Sequence, residues 1–434
     1  MTRFLTRLGR NQVGWVSDPT RSGQSPNLQT CAHRARMLRP KTLRMLLFAP
    51  CIAVGALADE RPASVVEVVA GEDYRAKLAG LRPGDELRFL PGVHEAHAVV
   101  QVSGTPDRPI TIRGVVDSGE RPELRFTGRG HNLWRIAGSH LRIKDLSFHA
   151  THAYGIRVER VDDLTIENCT FRQCGGGDIS ANSAHVHGLR IAGCRFVGSR
   201  RTPVYIGNHP GQLDIANFVF EGNVIDGRHI DGGIGYGIQL KLNVRGGVIR
   251  DNVITGTRGP GIMVYGVQDG AAEDASVIER NVVIGSRNNP GIAIGGGPAV
   301  VRNNLVIGCQ TGGIGVFDYG GRGLLQSIRI EENGAAMNMG HDLSIRGQLL
   351  ESTLKANRIW TRQSDPRLPG WDQAGLDVAA NRIQRGGQAW QQILGRLKGV
   401  VPSDAARNAV SQRLSQAMPQ SEEELIALLQ ALLD

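Results

Sequence analysis

The sequence predicts an all-β chain wound as a right-handed parallel β-helix, and three observations carry that expectation. First, an asparagine recurs at one place in a short apolar phrase, as in Ile249-Arg250-Asp251-Asn252-Val253-Ile254 and Ile278-Glu279-Arg280-Asn281-Val282-Val283. Phe220-Glu221-Gly222-Asn223 precedes these copies, and Val301-Arg302-Asn303-Asn304 and Ile330-Glu331-Glu332-Asn333 follow. Leu146, Cys169 and Cys194 hold the same slot upstream, so the anchors from Leu146 to Asn333 stand 23, 25, 29, 29, 29, 23 and 29 residues apart. Second, the residues around each anchor alternate with period two, and the 3.6-residue period of a helical repeat is absent. Third, 57 glycines and only 5% aromatic residues fit a turn-rich β chain. A leucine-rich repeat is the runner-up, but its L-x-x-L-x-L phrase is missing.

One coil cannot bury its apolar face alone, so neighbours must stack, with strands paired in parallel roughly 4.8 Å apart. An inward asparagine at a bend can bond its equivalent in the next coil, which satisfies an amide that burial would otherwise penalise. Cys169 and Cys194, one coil apart in the anchor slot, read as stacked small apolar residues rather than a disulfide or metal pair. Weaker copies around Asn357 and Asn381 extend the pattern.

Four segments follow. Residues 1–58 are a basic leader. Within it Arg39, Lys41 and Arg44 precede the apolar run 45–57, and Ala56-Leu57-Ala58 supplies a small-residue cleavage pattern, so 37–58 read as a secretory signal peptide with Met37 as initiator. That run is too short to span a membrane, and Phe48-Ala49-Pro50 before Cys51 is a poor lipoprotein box. Residues 59–100 form an N-terminal cap and first strands, with a short helix near 74–81. Residues 101–385 carry the β-helix, degraded after 341 and interrupted by a loop around 366–371. Residues 386–434 are a helical extension, with helices over 388–398 and 403–418. Ser421-Glu422-Glu423-Glu424 is a capping box before a leucine-rich amphipathic tail. That tail is expected to cap the open last coil, since solenoids must protect their ends, or to contact a partner.

The full chain has 50 Lys+Arg against 41 Asp+Glu, but the leader holds nine basic residues and one acidic, leaving 41 against 40. Nucleic acid is therefore not an expected partner. No transmembrane segment is expected in the mature chain, and a secreted or periplasmic address follows from the leader.

Chemistry is sought on the strand of each coil that opens with Gly-Ile or its equivalent. Gly237-Ile238-Gln239-Leu240-Lys241 and Gly261-Ile262-Met263-Val264-Tyr265 are adjacent copies, preceded by Pro203-Val204-Tyr205-Ile206-Gly207 and followed by Gly291-Ile292-Ala293-Ile294-Gly295. Side chains alternate along a strand, so Gln239, Lys241, Met263 and Tyr265 point away from the core. Lys241 and Tyr265 should lie side by side on an exposed sheet, with Gly207 and Gly295 flanking them to leave a groove. Lysine can act as a base, and tyrosine can donate or relay a proton. Gln239, Tyr205, Asn208, His209 and Arg245 are candidates for binding sugar hydroxyls or a carboxylate. The bland alternative is that Lys241 and Tyr265 are ordinary surface residues, and that His209 and Tyr205 serve only in turn formation or packing.

These residues also carry a resemblance. Leu81-Arg82-Pro83-Gly84-Asp85-Glu86-Leu87, Pro91-Gly92-Val93-His94, Gly104-Thr105-Pro106-Asp107-Arg108-Pro109-Ile110-Thr111-Ile112-Arg113 and Ile238-Gln239-Leu240-Lys241 resemble the β-helix polysaccharide lyases of the alginate lyase and chondroitinase B family. The resemblance covers roughly residues 65–310. It implies β-elimination from a uronate-containing, acidic polysaccharide, with Lys241 as base. The family's arginine one coil later is replaced by Tyr265, in Val264-Tyr265-Gly266. The family's calcium relies on carboxylates near the base, so calcium is possible but Gln239 beside Lys241 counts against it; no other metal or cofactor is expected. Two alternatives stay open: a non-catalytic β-helix that binds polysaccharide during its assembly or secretion, and a glycoside hydrolase or epimerase using Asp178, Asp226 or Asp231.

Overall fold

The computed structural model describes residues 63–433 except 229, 232, 363–369, 388 and 398–401. The expected leader and most of the loop around 366–371 lie outside the described residues. The described chain is a right-handed parallel β-helix in which the central coils contribute strands to three faces. The first sheet includes Val204–Ile206, Ile238–Leu240, Ile262–Val264 and Ile292–Ile294. The second includes Val219–Glu221, Val248–Arg250 and Ser276–Glu279. The third runs through 12 strands, from Val93–Glu95 to Arg382–Arg385.

Apolar residues stack in columns because each coil repeats the same inward positions. Val204, Ile238, Ile262, Ile292 and Ile314 are paired in register on the first sheet and are fully buried. Phe148, Phe171 and Phe196 stack with ring centroids 4.9 and 5.1 Å apart. At the N-terminal end α1 (Arg75–Ala79) sends Leu78 into this core, and Tyr74 just before it packs on Phe89 and accepts a 3.0 Å hydrogen bond from the Trp134 indole.

The asparagines form the expected ladder. The Asn223 amide donates to the Asn252 carbonyl at 3.1 Å, and the chain continues through Asn281, Asn304, Asn333, Asn357 and Asn381 at 2.8–3.0 Å. Each carbonyl also accepts the backbone N–H of the preceding rung, so one side chain satisfies two buried donors. The cysteines begin the ladder: the Cys194 N–H donates to Asn223 at 2.8 Å, and the Cys169 N–H to the Cys194 sulfur at 3.4 Å. The residue before each anchor is left-handed, with φ of 50° at Asn168, 60° at Gly193, 63° at Gly222, 60° at Asp251 and 53° at Arg280. This single bend turns the chain from the second sheet to the third and aims the anchor inward.

The C-terminal helices correct the end-cap expectation. Helices α2 (Ala389–Leu397), α3 (Asp404–Gln416) and α4 (Glu422–Gln430) lie along the flank of the solenoid. Their Trp390, Ile393, Leu394, Val410, Leu414 and Leu425 pack against Val253, Val282, Leu305, Ile307 and Trp360 on the outer side of the third sheet. Polar contacts span the same stretch: Arg195 pairs with Asp404 at 2.9 Å, Asn303 donates to the Leu414 carbonyl at 3.3 Å, and Arg358 donates to Gln420 at 2.7 Å. Val378 in the last coil stays 40% exposed. The helices therefore cover a face that is apolar on both sides rather than the open end.

Candidate functional site

The first sheet brings Lys241 and Tyr265 together as expected. The Tyr265 N–H donates to the Leu240 carbonyl at 3.0 Å, which sets the two side chains in one column. The Lys241 ammonium lies 3.5 Å from the Tyr265 hydroxyl, 4.6 Å from the Tyr265 ring centroid and 5.1 Å from that of Tyr205. Two aromatic faces thus share one cation, an arrangement that stabilises buried positive charge. The Gln239 amide donates to the Tyr265 hydroxyl at 2.8 Å. Gly207 precedes Lys241 in the column, and an added Cβ there would meet the Lys241 Cβ at 2.9 Å, so glycine is what lets lysine lie flat.

The expected exposure is overturned. Lys241, Gln239 and Tyr265 are each 3% exposed and Met263 2%. They point away from the solenoid core but sit under a second apolar layer of Leu242, Phe317 and Leu324, with Tyr236 and Tyr319 packed against it. Tyr319 meets Tyr265 edge to face at 4.3 Å. Tyr319 and Leu324 belong to the connection after the strand Gly312–Phe317. Its turn is held by the Asp318 carboxylate, which accepts from the Arg322 and Gly323 backbone. Burial, and then the neighbouring Tyr236 and Tyr319, push the Tyr265 phenol well above its ordinary pKa, so it stays protonated across the working pH range.

The other candidates separate. Tyr205 is half-buried beside Lys241, while Asn208 accepts from the Gly211 N–H at 2.9 Å and so builds a turn. His209 is exposed, with its ring 5.9 Å from Tyr319, at the rim of the cluster. Arg245 lies on the strand Val244–Arg245 and pairs with Asp274 at 2.7 Å.

The fit to calcium is poor. Gln239 offers one amide oxygen beside Lys241, and the nearby carboxylates in sequence are engaged elsewhere. Glu221 is bonded by Arg190 and Arg250 at 2.8 and 2.7 Å, and Asp226 by Arg228 at 2.8 Å. A calcium ion takes six to eight oxygens, which this donor set does not offer. Asp178 is not a loop carboxylate: it is fully buried inside the coil and accepts from the Ser199 hydroxyl. Asp231 is exposed.

Sequence reasoning missed Tyr236, Tyr319, Phe317 and Leu324. A signal existed in Gly235-Tyr236-Gly237 and Phe317-Asp318-Tyr319-Gly320, which place tyrosines beside the Gly-Ile strands.

No curated protein matches the chain in sequence. Among solved structures, a PL6 family polysaccharide lyase from Pseudopedobacter saltans aligns with TM-score 0.50 and 14% identity, over 74% of this chain and 93% of that one. The catalytic domain of a GH87 alpha-1,3-glucanase in complex with nigerose aligns with TM-score 0.50 and 10% identity, over 75% of this chain and 70% of that one. One is a lyase and the other a glucanase, so the likeness is one of fold. Residues 135–334 match the family model described as a right handed beta helix region, the same stretch in which the phenylalanine stack, most of the asparagine ladder and the Lys241 cluster lie.

Proposed function

We propose that the chain is an exported, polysaccharide-active β-helix protein that cleaves an acidic glycan by β-elimination. The observation that carries this reading is the Lys241 ammonium held between the Tyr205 and Tyr265 rings, outside the solenoid's own core. Burying a lysine there does nothing for coil stacking, and a buried cation costs stability unless it is well compensated. Titratable groups placed against that cost are candidates for chemistry.

The proposed step needs Lys241 deprotonated: burial beneath Leu242, Phe317 and Leu324 works against its charge while the two rings favour it, and the free amine then takes the proton from C5 of the uronate. The electron pair forms the C4–C5 double bond and expels the glycosidic oxygen, which takes the Tyr265 proton. The resulting ammonium returns its proton to the phenolate across the 3.5 Å contact, so the pair ends as it began. A phenol whose ionisation is disfavoured is reprotonated readily, which suits a relay. Substrate reaches the pair when the connection carrying Tyr319 and Leu324 swings away. Gly320, Gly321 and Gly323, at φ of 75°, 64° and 66°, give that connection its conformational freedom.

The occlusion itself favours a second reading, in which the β-helix binds an exported polysaccharide without cutting it. An ultraviolet assay against a panel of uronate-containing polysaccharides separates the two. Rising absorbance from an unsaturated uronate, lost in Lys241→Ala with the fold intact, is expected. Full turnover in Lys241→Ala sinks the catalytic assignment, and saturable binding with no chain shortening establishes the second reading.

A further inference from the structure

A second cluster lies away from Lys241, where the first sheet turns into the second. Three consecutive coils place Arg160-Val161-Asp162, His185-Val186-His187 and Asp214-Ile215-Ala216 side by side in parallel register. Val161, Val186 and Ile215 point into the core at 0–2% exposure, so the flanking residues of each triplet face solvent. This alternation sets His185 and His187 next to each other, with ring centroids 4.0 Å apart. Asp162 lies on the coil before them and Asp214 on the coil after.

The two carboxylates meet different nitrogens. Asp214 bonds the His185 Nδ1 through one oxygen and the His187 Nε2 through the other, both at 2.8 Å. The opposite nitrogens turn toward Asp162: its Oδ1 is 2.9 Å from the His185 Nε2 and 4.0 Å from the His187 Nδ1. Asp162, His185 and His187 each offer a ligand atom within 4.8 Å of the others. A tetrahedral ion with bonds near 2.0 Å spaces its ligand atoms about 3.3 Å apart, so small rotamer adjustments close the set. A carboxylate that fixes the far nitrogen of a ligating imidazole is the usual outer support of a zinc-type site, and here Asp214 serves both rings.

We propose that Asp162, His185 and His187 bind a divalent transition metal ion of the zinc class, with Asp214 positioning both imidazoles. Two imidazoles and one carboxylate select such an ion over calcium or magnesium, which prefer oxygen alone. Three protein ligands leave a fourth position facing solvent, open to water or to an oxygen of a bound molecule. The site stands independently of the Lys241 cluster and of the elimination chemistry.

Zinc titration of the purified metal-free protein by calorimetry tests the assignment, with cobalt(II) absorption as a second reading of coordination. One equivalent of zinc is expected, with tetrahedral cobalt bands. His185→Gln and His187→Gln should each weaken binding at least 100-fold with unchanged circular dichroism. Asp214→Asn should weaken it about 10- to 100-fold. Absence of stoichiometric binding by the wild-type protein, or binding unchanged in both histidine variants, overturns the site and leaves the four residues as a surface ion-pair cluster.

Discussion

Asp178 shows how one residue ties the interior to solution conditions. Burial raises its carboxyl from the ordinary 3.8 to about 7, against the hydrogen bonds from Ser199 and Cys174 that pull it down. Between those values the folded state keeps a proton that the unfolded state releases, so stability falls as pH rises from about 4 to about 7. At about 1.4 kcal/mol per pKa unit the loss is on the order of 4 kcal/mol. Asp178→Asn should flatten that decline, and urea midpoints measured at pH 5 and pH 8 report it; an unchanged slope in the variant rules the carboxyl out as its source. The side-by-side placement of Lys241 and Tyr265 was legible in the sequence, because strand alternation and the repeated Gly-Ile opening fix their column. Their burial was not. Tyr236, Tyr319 and Leu324 come from connections between strands, which carry no period to read.

At the scale of the element, the ladder is what makes coils interchangeable. Removing the Asn281 side chain would leave the buried Asn252 backbone N–H without its acceptor. It would also strip one bond each from the Asn252 side-chain amide, which keeps the Phe220 carbonyl, from the Asn304 side-chain carbonyl, which keeps the backbone N–H of residue 281, and from the Ile249 carbonyl. Asn281→Ala should therefore cost about 3 kcal/mol, more than an average substitution. Chemical denaturation checks this, and a loss under about 1 kcal/mol would mean that water or relaxation satisfies those groups. The ladder was readable because the anchor spacing repeats in sequence. The resting place of the C-terminal helices was not, since an amphipathic stripe does not say which apolar surface it meets. A clue lay in Val282-Val283-Ile284 and Leu305-Val306-Ile307, unbroken apolar runs that imply burial on both faces of a strand.

For the whole molecule, the helices decide how much surface the third sheet leaves bare. A chain ending at residue 385 would expose Val253, Val282, Leu305, Ile307 and Trp360 together. Such a patch is an aggregation hazard. The truncated protein should self-associate in sedimentation experiments where the full chain does not; identical sedimentation of the two would show that the flank tolerates exposure. The helices also alter how the fold comes apart. A stack of coils touching only its neighbours behaves as a one-dimensional array, able to fray from either end. Contacts from Arg195 to Asp404 and from Arg358 to Gln420 join coils more than 160 residues apart through one appended segment. Fraying of the C-terminal coils must then break the strap as well, which couples distant coils and sharpens unfolding toward a single cooperative event.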